Sequence, residues 1–379
     1  MRFMLGPTGY ACNVGVAADR FGDLLFFSDK GVRRPHMPTN VTPEYKKAEE
    51  AYRGARDPAE RLDCLKEMLR TIPKHKGTEH LQADIKSRIK QLTEELAGPK
   101  KGGKRSGPSY AVRHEGAAQV AMIGPPNSGK SAIHGHLTHS RTEIGAWPFT
   151  TQLPVPGMLS FEDIQIQLVD LPPLAPEFTV PWYTTPLQTA DAAMLVLDMA
   201  EPACAEQLQY IIEWLEARRI HLVPDWPGSG GGSSPAESDE MDLDPFRLDL
   251  PTLLIANKYD LDPDPGEVEA LEELTSVRFP HISTSAETGF GLDAIGEFLF
   301  RALNIVRVHT KVPGKPPDSD RPFTLFRGAT VHDVARLVHK DIAESLRFAR
   351  IWGQGVYDGQ QVGPEHVVND KDIVELHMG

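Results

Sequence analysis

The segment GPPNSGKS, Gly124 to Ser131, gathers the residue types that wrap a polyphosphate. Glycines let the backbone turn its N–H groups inward, Lys130 brings a cation to the β- and γ-phosphates, and the Ser131 hydroxyl can ligate Mg²⁺. Pro125, Pro126, Asn127, Ser128 and Gly129 complete the loop, and Ala132 continues into the helical pattern behind it. An apolar strand, AAQVAMI, precedes the loop, which is the context a phosphate-binding loop requires and a chance glycine turn lacks. By itself this loop does not separate ATP from GTP.

NKYD, Asn257 to Asp260, follows the apolar run TLLIA and makes that distinction. A carboxylate at Asp260 can accept from both N1–H and N2–H₂ of guanine, a donor pair that adenine does not present. Asn257 is expected to fix the loop and read the other edge of the base, with the Lys258 stem covering its face. STSAETG supplies a third loop, in which the backbone of Ser285 and Ala286 is expected near guanine O6. In WPFTT, Thr150 and Thr151 stand where a switch threonine completes a Mg²⁺ shell, and Thr151 is preferred. VDLPP ends the strand IQIQLV and offers Asp170 as the carboxylate behind the metal, so Ser131, Thr151 and Asp170 form the expected Mg²⁺ set. The pattern then breaks. A D-x-x-G loop donates its glycine N–H to the γ-phosphate, but position 173 is Pro173, which has no N–H, and the next residue is Leu174 where Ras-like proteins place a water-orienting glutamine.

The elements that hold these loops are short buried strands alternating with helices from Ala117 onward, the rhythm of a mainly parallel α/β sheet. A G domain is expected over 116–304. Acidic low-complexity sequence at 224–249 interrupts it and reads as a disordered insertion. Ahead lies a helical hairpin over 37–98, with a start signal at Thr42-Pro43-Glu44 and apolar stripes Leu62, Leu65, Leu69, Ile72 and Leu81, Ile85, Ile89, Leu92, Leu96. Such stripes pack either on each other or the next domain, or as a partner-binding coiled coil. Residues 99–115 form a basic linker with Lys100, Lys101, Lys104 and Arg105. Residues 1–36 lack periodicity and read as an unstructured or misassigned extension. A small unit over 305–379 carries a strand at FTLF and a helix capped by Thr330.

The chain has 379 residues, 40% hydrophobic and 25% charged, with a formal net charge of −13. These are the proportions of a soluble globular protein, and the acidity opposes indiscriminate nucleic-acid binding, though not binding through local basic segments such as Lys74, Lys76 and Lys100 to Arg105. Three cysteines without CxxC spacing argue against a disulfide framework or zinc site and fit a cytoplasmic protein. No apolar run is long enough for a membrane span.

On GPPNSGKSAIHGHLT, WPFTTQLPVPGMLSFEDIQIQLVDLP, IANKYDL and the tail RGATVHDVARLVHKDIAESLRFARIWG, the sequence resembles the Obg superfamily, closest to its developmentally regulated GTP-binding (DRG) branch. The resemblance covers roughly Thr42 to Gly379 apart from the acidic insertion. It implies an α/β fold: a Ras-like P-loop G domain with an N-terminal helical hairpin and a C-terminal β-grasp TGS domain. It further implies GTP/GDP and Mg²⁺ as ligands, slow hydrolysis without a catalytic glutamine, and association with ribosome, RNA or a translation-related protein. Leu174 is ordinary for such proteins. Asn127 occupies the place of the P-loop asparagine of potassium-stimulated members, so the catalytic candidates are Lys130, Asn127 and Thr151, with K⁺ as a possible ligand. The sequence departs from the branch at Pro173, in the glycine-free stretch APEFTVPWYTTPLQT, and in having only 224–249 where the branch inserts a further domain. A guanine-nucleotide-binding adaptor without competent hydrolysis is therefore the second expectation.

Asp260→Asn is expected to lose guanine nucleotide by about 10²-fold and to gain xanthine nucleotide, whose C2 carbonyl accepts from the new amide. Competition binding among GTP, XTP and ATP measures this.

Overall fold

The computed structural model describes residues 42–55, 58–73, 78–96, 110, 112–139, 153–228, 244, 246–261, 266–317 and 322–379. The expectations for 1–36, for Lys74 and Lys76, for Lys100 to Arg105 and for Thr150 and Thr151 lie outside them.

Three helices come first: α1 (Pro43–Gly54), α2 (Pro58–Thr71) and α3 (Glu79–Leu96). The start of α1 follows its sequence signal, since the Thr42 hydroxyl oxygen accepts from Tyr45 N–H at 3.2 Å and Pro43 occupies the first turn, where no donor is needed. The stripes turn inward. Tyr45, Leu65, Met68, Ile72 and Ile85 form a core that Leu69, Leu81, Ile89 and Leu92 flank, the packing alternative of the two the stripes allow.

The central sheet runs β2–β3–β1–β4–β6–β5, and β7 continues on β6. Its strands are β1 (Gln119–Ile123), β2 (Val155–Phe161), β3 (Ile164–Asp170), β4 (Ala192–Asp198), β5 (Ile220–Val223), β6 (Leu248–Asn257) and β7 (His281–Ser283). Pairing is parallel except for the β2–β3 hairpin. Helices α4 (Lys130–Thr138) and α8 (Asp293–Ala302) cover one face, and α5 (Thr184–Leu187), α6 (Cys204–Glu216) and α7 (Glu267–Thr275) the other. Burial from both sides explains why β1 and β4 read as unbroken apolar runs rather than alternating ones. The loops after β1, β3 and β6 emerge at the carboxyl ends of parallel strands in one sheet, so residues far apart in sequence meet at one edge.

The insertion expected to be disordered over 224–249 needs correction at its margins. Trp226 is buried in the sheet core, stacked edge-on against Phe298, and Phe246 is buried among the N-terminal helices. Each ring offers enough apolar surface to repay the ordering of its few neighbours, a property that an average over a low-complexity stretch hides. β6 accordingly begins at Leu248, before the apolar run PTLLIA.

The C-terminal unit is a five-stranded sheet, β11–β10–β12–β8–β9, made of β8 (Ile305–Thr310), β9 (Phe323–Phe326), β10 (Leu346–Trp352), β11 (Gln360–Val362) and β12 (Asp372–Met378). Helix α9 (Val331–Val338) packs Val331, Val334 and Ala335 on one face, and α10 (Lys340–Ser345) follows it. Thr330 opens α9 with a capping box: its N–H donates to Asp333 at 2.8 Å, and its hydroxyl oxygen accepts from Asp333 N–H at 3.4 Å.

Arg307 on β8 joins this unit to the G domain. Its guanidinium is 4% exposed and donates to Asp370 at 3.0 and 2.7 Å, to Asp163 at 2.8 Å and to Glu162. Glu162 and Asp163 are the turn of the β2–β3 hairpin, and the Phe300 ring of α8 lies 4.8 Å beneath the guanidinium. Burial works to raise the Asp370 carboxyl, but the hydrogen bonds and charge of Arg307 outweigh it and hold Asp370 below its ordinary value. A carboxylate depressed in the folded state stabilises fully above its unfolded pKa of about 3.9, and that contribution disappears as pH falls through its lower folded value. Arg307→Met is expected to cost about 2 kcal/mol, less than a fully buried pair because the carboxylates keep contact with water. Urea unfolding from pH 7 to 3 checks both points: the gap between wild type and Arg307→Met should close in the acid range.

Candidate nucleotide site

β1 delivers the chain to Gly124, at φ +153, where an added Cβ would stand 2.3 Å from the Val196 carbonyl of β4. The loop then passes over Asn127, at φ 59 and exposed at its apex, to Gly129 at φ +94, and α4 begins at Lys130. Within the loop the Ser128 hydroxyl donates to the Pro125 carbonyl at 3.0 Å. The Lys130 ammonium is 6% exposed and donates to the carbonyls of Gly124 and Pro125 at 3.1 and 3.0 Å. Burial pulls its pKa down to about 8, against the opposing pull of Asp170.

Asp170, the last residue of β3, is fully buried. Its Oδ2 accepts from the Ser131 hydroxyl at 2.6 Å, while Oδ1 has no hydrogen-bond partner. Desolvation raises its pKa over the lowering influence of Lys130, Ser131 and His134. A buried carboxylate oxygen without a donor, beside a hydroxyl on the phosphate loop, is an oxygen pair suited to a hard divalent cation. His134, buried one turn further along α4, has its Nε2 3.3 Å from the Leu168 carbonyl, and burial lowers its pKa.

The NKYD and STSAETG loops are fastened to the phosphate loop by one side chain. Asn257 is 1% exposed; its Nδ2 donates to the Ser128 carbonyl at 2.8 Å, and its Oδ1 accepts from Ala286 N–H at 3.1 Å and from the Thr284 hydroxyl at 3.3 Å. The expectation that Asn257 fixes the loop matches this geometry. Its Nδ2 carries a second N–H beyond the one given to Ser128. Gly129 follows from the same contact, since a Cβ there would stand 2.1 Å from Asn257 Nδ2. Ser285 is buried with its N–H donating to the Phe290 carbonyl at 3.0 Å. The Tyr259 and Phe290 rings stack at 5.5 Å, which joins the two loops at a second point. Asp260 is exposed beside them.

One residue at this site carried no sequence signal. Asp198, at the end of β4, is 9% exposed, and its Oδ2 accepts from the Lys258 ammonium at 2.5 Å. Its only marker in the sequence was a charge closing an apolar strand, which most parallel strands could show.

The segment after Asp170 is tied down. Leu171 N–H donates to the Met122 carbonyl at 3.2 Å and Leu174 N–H to the Gly124 carbonyl at 3.0 Å; Pro172 and Pro173 have no N–H. Every amide from 171 to 174 is thus either absent or bound to β1 and the loop behind it. Leu174, Tyr183 and Leu187 are buried in the core beneath, and Arg61 of α2 donates to the Gln188 carbonyl at 2.9 Å. Tyr110 stacks on Trp182 with centroids 4.6 Å apart.

A phosphate loop at a strand-to-helix turn, a buried carboxylate behind it and an N-K-x-D loop stapled across from it define a P-loop GTP-binding protein. Sequence profiles agree: one described as 50S ribosome-binding GTPase matches residues 119–224, and the TGS domain profile matches 306–378. An uncharacterized GTP-binding protein of Methanocaldococcus jannaschii is 27% identical, covering 84% of this chain and 92% of its own. A developmentally-regulated GTP-binding protein 2 homolog from Dictyostelium discoideum is 26% identical over 83% of this chain and 97% of its own, and developmentally-regulated GTP-binding protein 1 of Xenopus laevis 27% over 82% and 96%. A crystal structure of a GTP-binding protein from Pyrococcus horikoshii superposes with a TM-score of 0.46 at 16% identity, covering 69% of this chain and all of that one. The chain thus carries a P-loop GTPase domain and a TGS domain behind N-terminal helices, and over most of its length it is similar to developmentally-regulated GTP-binding proteins. No helix among the described residues is long and apolar enough to cross a membrane.

A glycine N–H on the γ-phosphate is one charge-assisted bond made with GTP and not with GDP. Its absence at Pro173 is expected to lower the preference for GTP over GDP by roughly ten- to a hundredfold against a glycine protein. Paired dissociation constants for wild type and Pro173→Gly measure this, with the ratio rising in the variant if the restored N–H reaches the phosphate.

Proposed function

We propose that the chain binds GTP and GDP with Mg²⁺, hydrolyses GTP slowly, and acts through a ribosome, RNA or translation-related protein partner. The observation that carries the nucleotide reading is the Asn257 staple, which holds the phosphate loop and both base-reading loops as one rigid receptor. In that receptor the backbone N–H groups of Asn127 to Ala132 and the Lys130 ammonium would hold the phosphates. Asp260 would read guanine, and Ser131 and Asp170 would hold Mg²⁺ with Thr151. The ion neutralises phosphate charge when bound. Lys130, whose pKa burial pulls down to about 8, is a group whose proton a phosphate would stabilise.

Slow turnover follows from what faces the γ-phosphate. Leu174 points into the core instead of orienting a water, and no amide from 171 to 174 is free to bond the transferring group. Asn127, exposed at the loop apex, would help hold a monovalent cation that supplies the missing charge. The same tied segment supports a second reading, a guanine-nucleotide adaptor that holds its ligand without competent hydrolysis. The partner assignment is supported by the TGS domain and by the kinship with developmentally regulated GTP-binding proteins.

Single-turnover GTP hydrolysis in potassium against sodium separates the two readings. A slow rate that rises at least tenfold in potassium and falls in Asn127→Ala supports the GTPase, whereas no phosphate release in either salt favours the adaptor. Co-sedimentation with ribosomes across a salt series tests the partner, since contacts to phosphates weaken steeply with salt.

A further inference from the structure

The nucleotide reading gives Lys258 the task of covering the base, but a lysine has four rotatable carbons and no intrinsic reason to lie there. Its backbone sits at φ 64, a left-handed conformation that lifts the side chain off the line of β6. Its ammonium ends on Asp198 Oδ2 at 2.5 Å. The two side chains differ in exposure, 33% for Lys258 and 12% for Asp198, so the anchor is the inner partner and the lysine the outer one. Asp198 is itself rigid: it closes β4, is paired in register with Asn257, and its Oδ1 accepts from Ala200 N–H at 3.1 Å. The pair is therefore a tether, fixed at the sheet and reaching outward along the lysine stem.

A second consequence concerns charge. Two residues beyond Lys258 stands Asp260, the exposed carboxylate that would take both guanine donors. An ammonium without a partner on the same short loop would seek that carboxylate, and a paired Asp260 would present fewer acceptor sites to the base. Asp198 removes the competition by engaging the ammonium from beneath.

We propose that Asp198 is a positioning residue for guanine recognition, which holds the Lys258 ammonium at the sheet so that the lysine stem lies over the base and the Asp260 carboxylate stays free. This rests on the guanine-site reading above. Asp198 touches neither base nor phosphate; it acts through Lys258.

The test is a double-mutant cycle in the full chain, with Asp198→Asn and Lys258→Met singly and together, read by GDP and pyrophosphate binding. Asp198→Asn should weaken GDP by roughly tenfold, the scale of one charge-assisted hydrogen bond, and leave pyrophosphate unchanged. In the Lys258→Met background the same substitution should cost almost nothing further, because the group it positions is gone. An equal loss in both backgrounds would show that Asp198 merely supports the turn at Ala200, and would overturn the proposal. So would an unchanged GDP affinity in Asp198→Asn. Asp198→Glu, which keeps the charge and displaces it by one methylene, serves if the asparagine variant does not fold; it should weaken GDP only while Lys258 is present, and a loss that persists without Lys258 would count against the proposal. Failure of wild type to bind GDP at all would instead reject the guanine-site reading.

Discussion

The structure depends most on the amide of Asn257. Three loops that come from different strands must present their polar groups to one ligand, and loops by themselves are the least rigid parts of a domain. A single buried side chain bridges all three, with a donor to Ser128 and an acceptor to Ala286 and Thr284. Burial makes each of these bonds costly to break, since an orphaned amide in a dry site forfeits its full solvation. The constraint runs backward into sequence. Gly129 has no side chain because the amide occupies that space.

Around this rigid receptor the switch segment behaves differently from the pattern it resembles. Two prolines and two committed amides make the stretch after Asp170 an extension of the β1–β3 pairing rather than a free loop. Large buried residues behind it, Leu174, Tyr183 and Leu187, fix its course from below. Movement of this segment would have to break backbone bonds to β1 and withdraw side chains from the core, a larger cost than a glycine-rich loop meets. The N-terminal helices add to the restraint through Arg61 and the Gln188 carbonyl.

Much of this was legible in the sequence, for identifiable reasons. The phosphate loop, NKYD and Asp170 are local signals whose spacing is set by contiguous chain, and Thr42, Pro43 and Thr330 announce helix starts by chemistry that acts within four residues. What was not legible depends on groups that meet only after folding. Asp198 and Lys258 lie sixty residues apart and neither is unusual where it stands. Asn257 was recognised as a site residue, yet its engagement at both ends required knowing that Ser128 and Ala286 approach it from opposite sides. The margins of the acidic insertion were misread because composition averages over a window, whereas burial of Trp226 and Phe246 is decided by single rings.

Phe246 has a further consequence for how the chain is made. It closes the core of the N-terminal helices, meeting Tyr52 edge-on at 6.1 Å and lying 4.2 Å beneath the Arg88 guanidinium, while Arg219 pairs with Asp84 of the same helices at 3.0 Å. Arg219 stands just before β5 and Phe246 just before β6. During synthesis the helices emerge ahead of the ring that completes their packing, which follows about 150 residues later, roughly eight to thirty seconds at ~5–20 residues per second. For that interval they hold an unfinished apolar surface, and their folding is completed by chain that is made later.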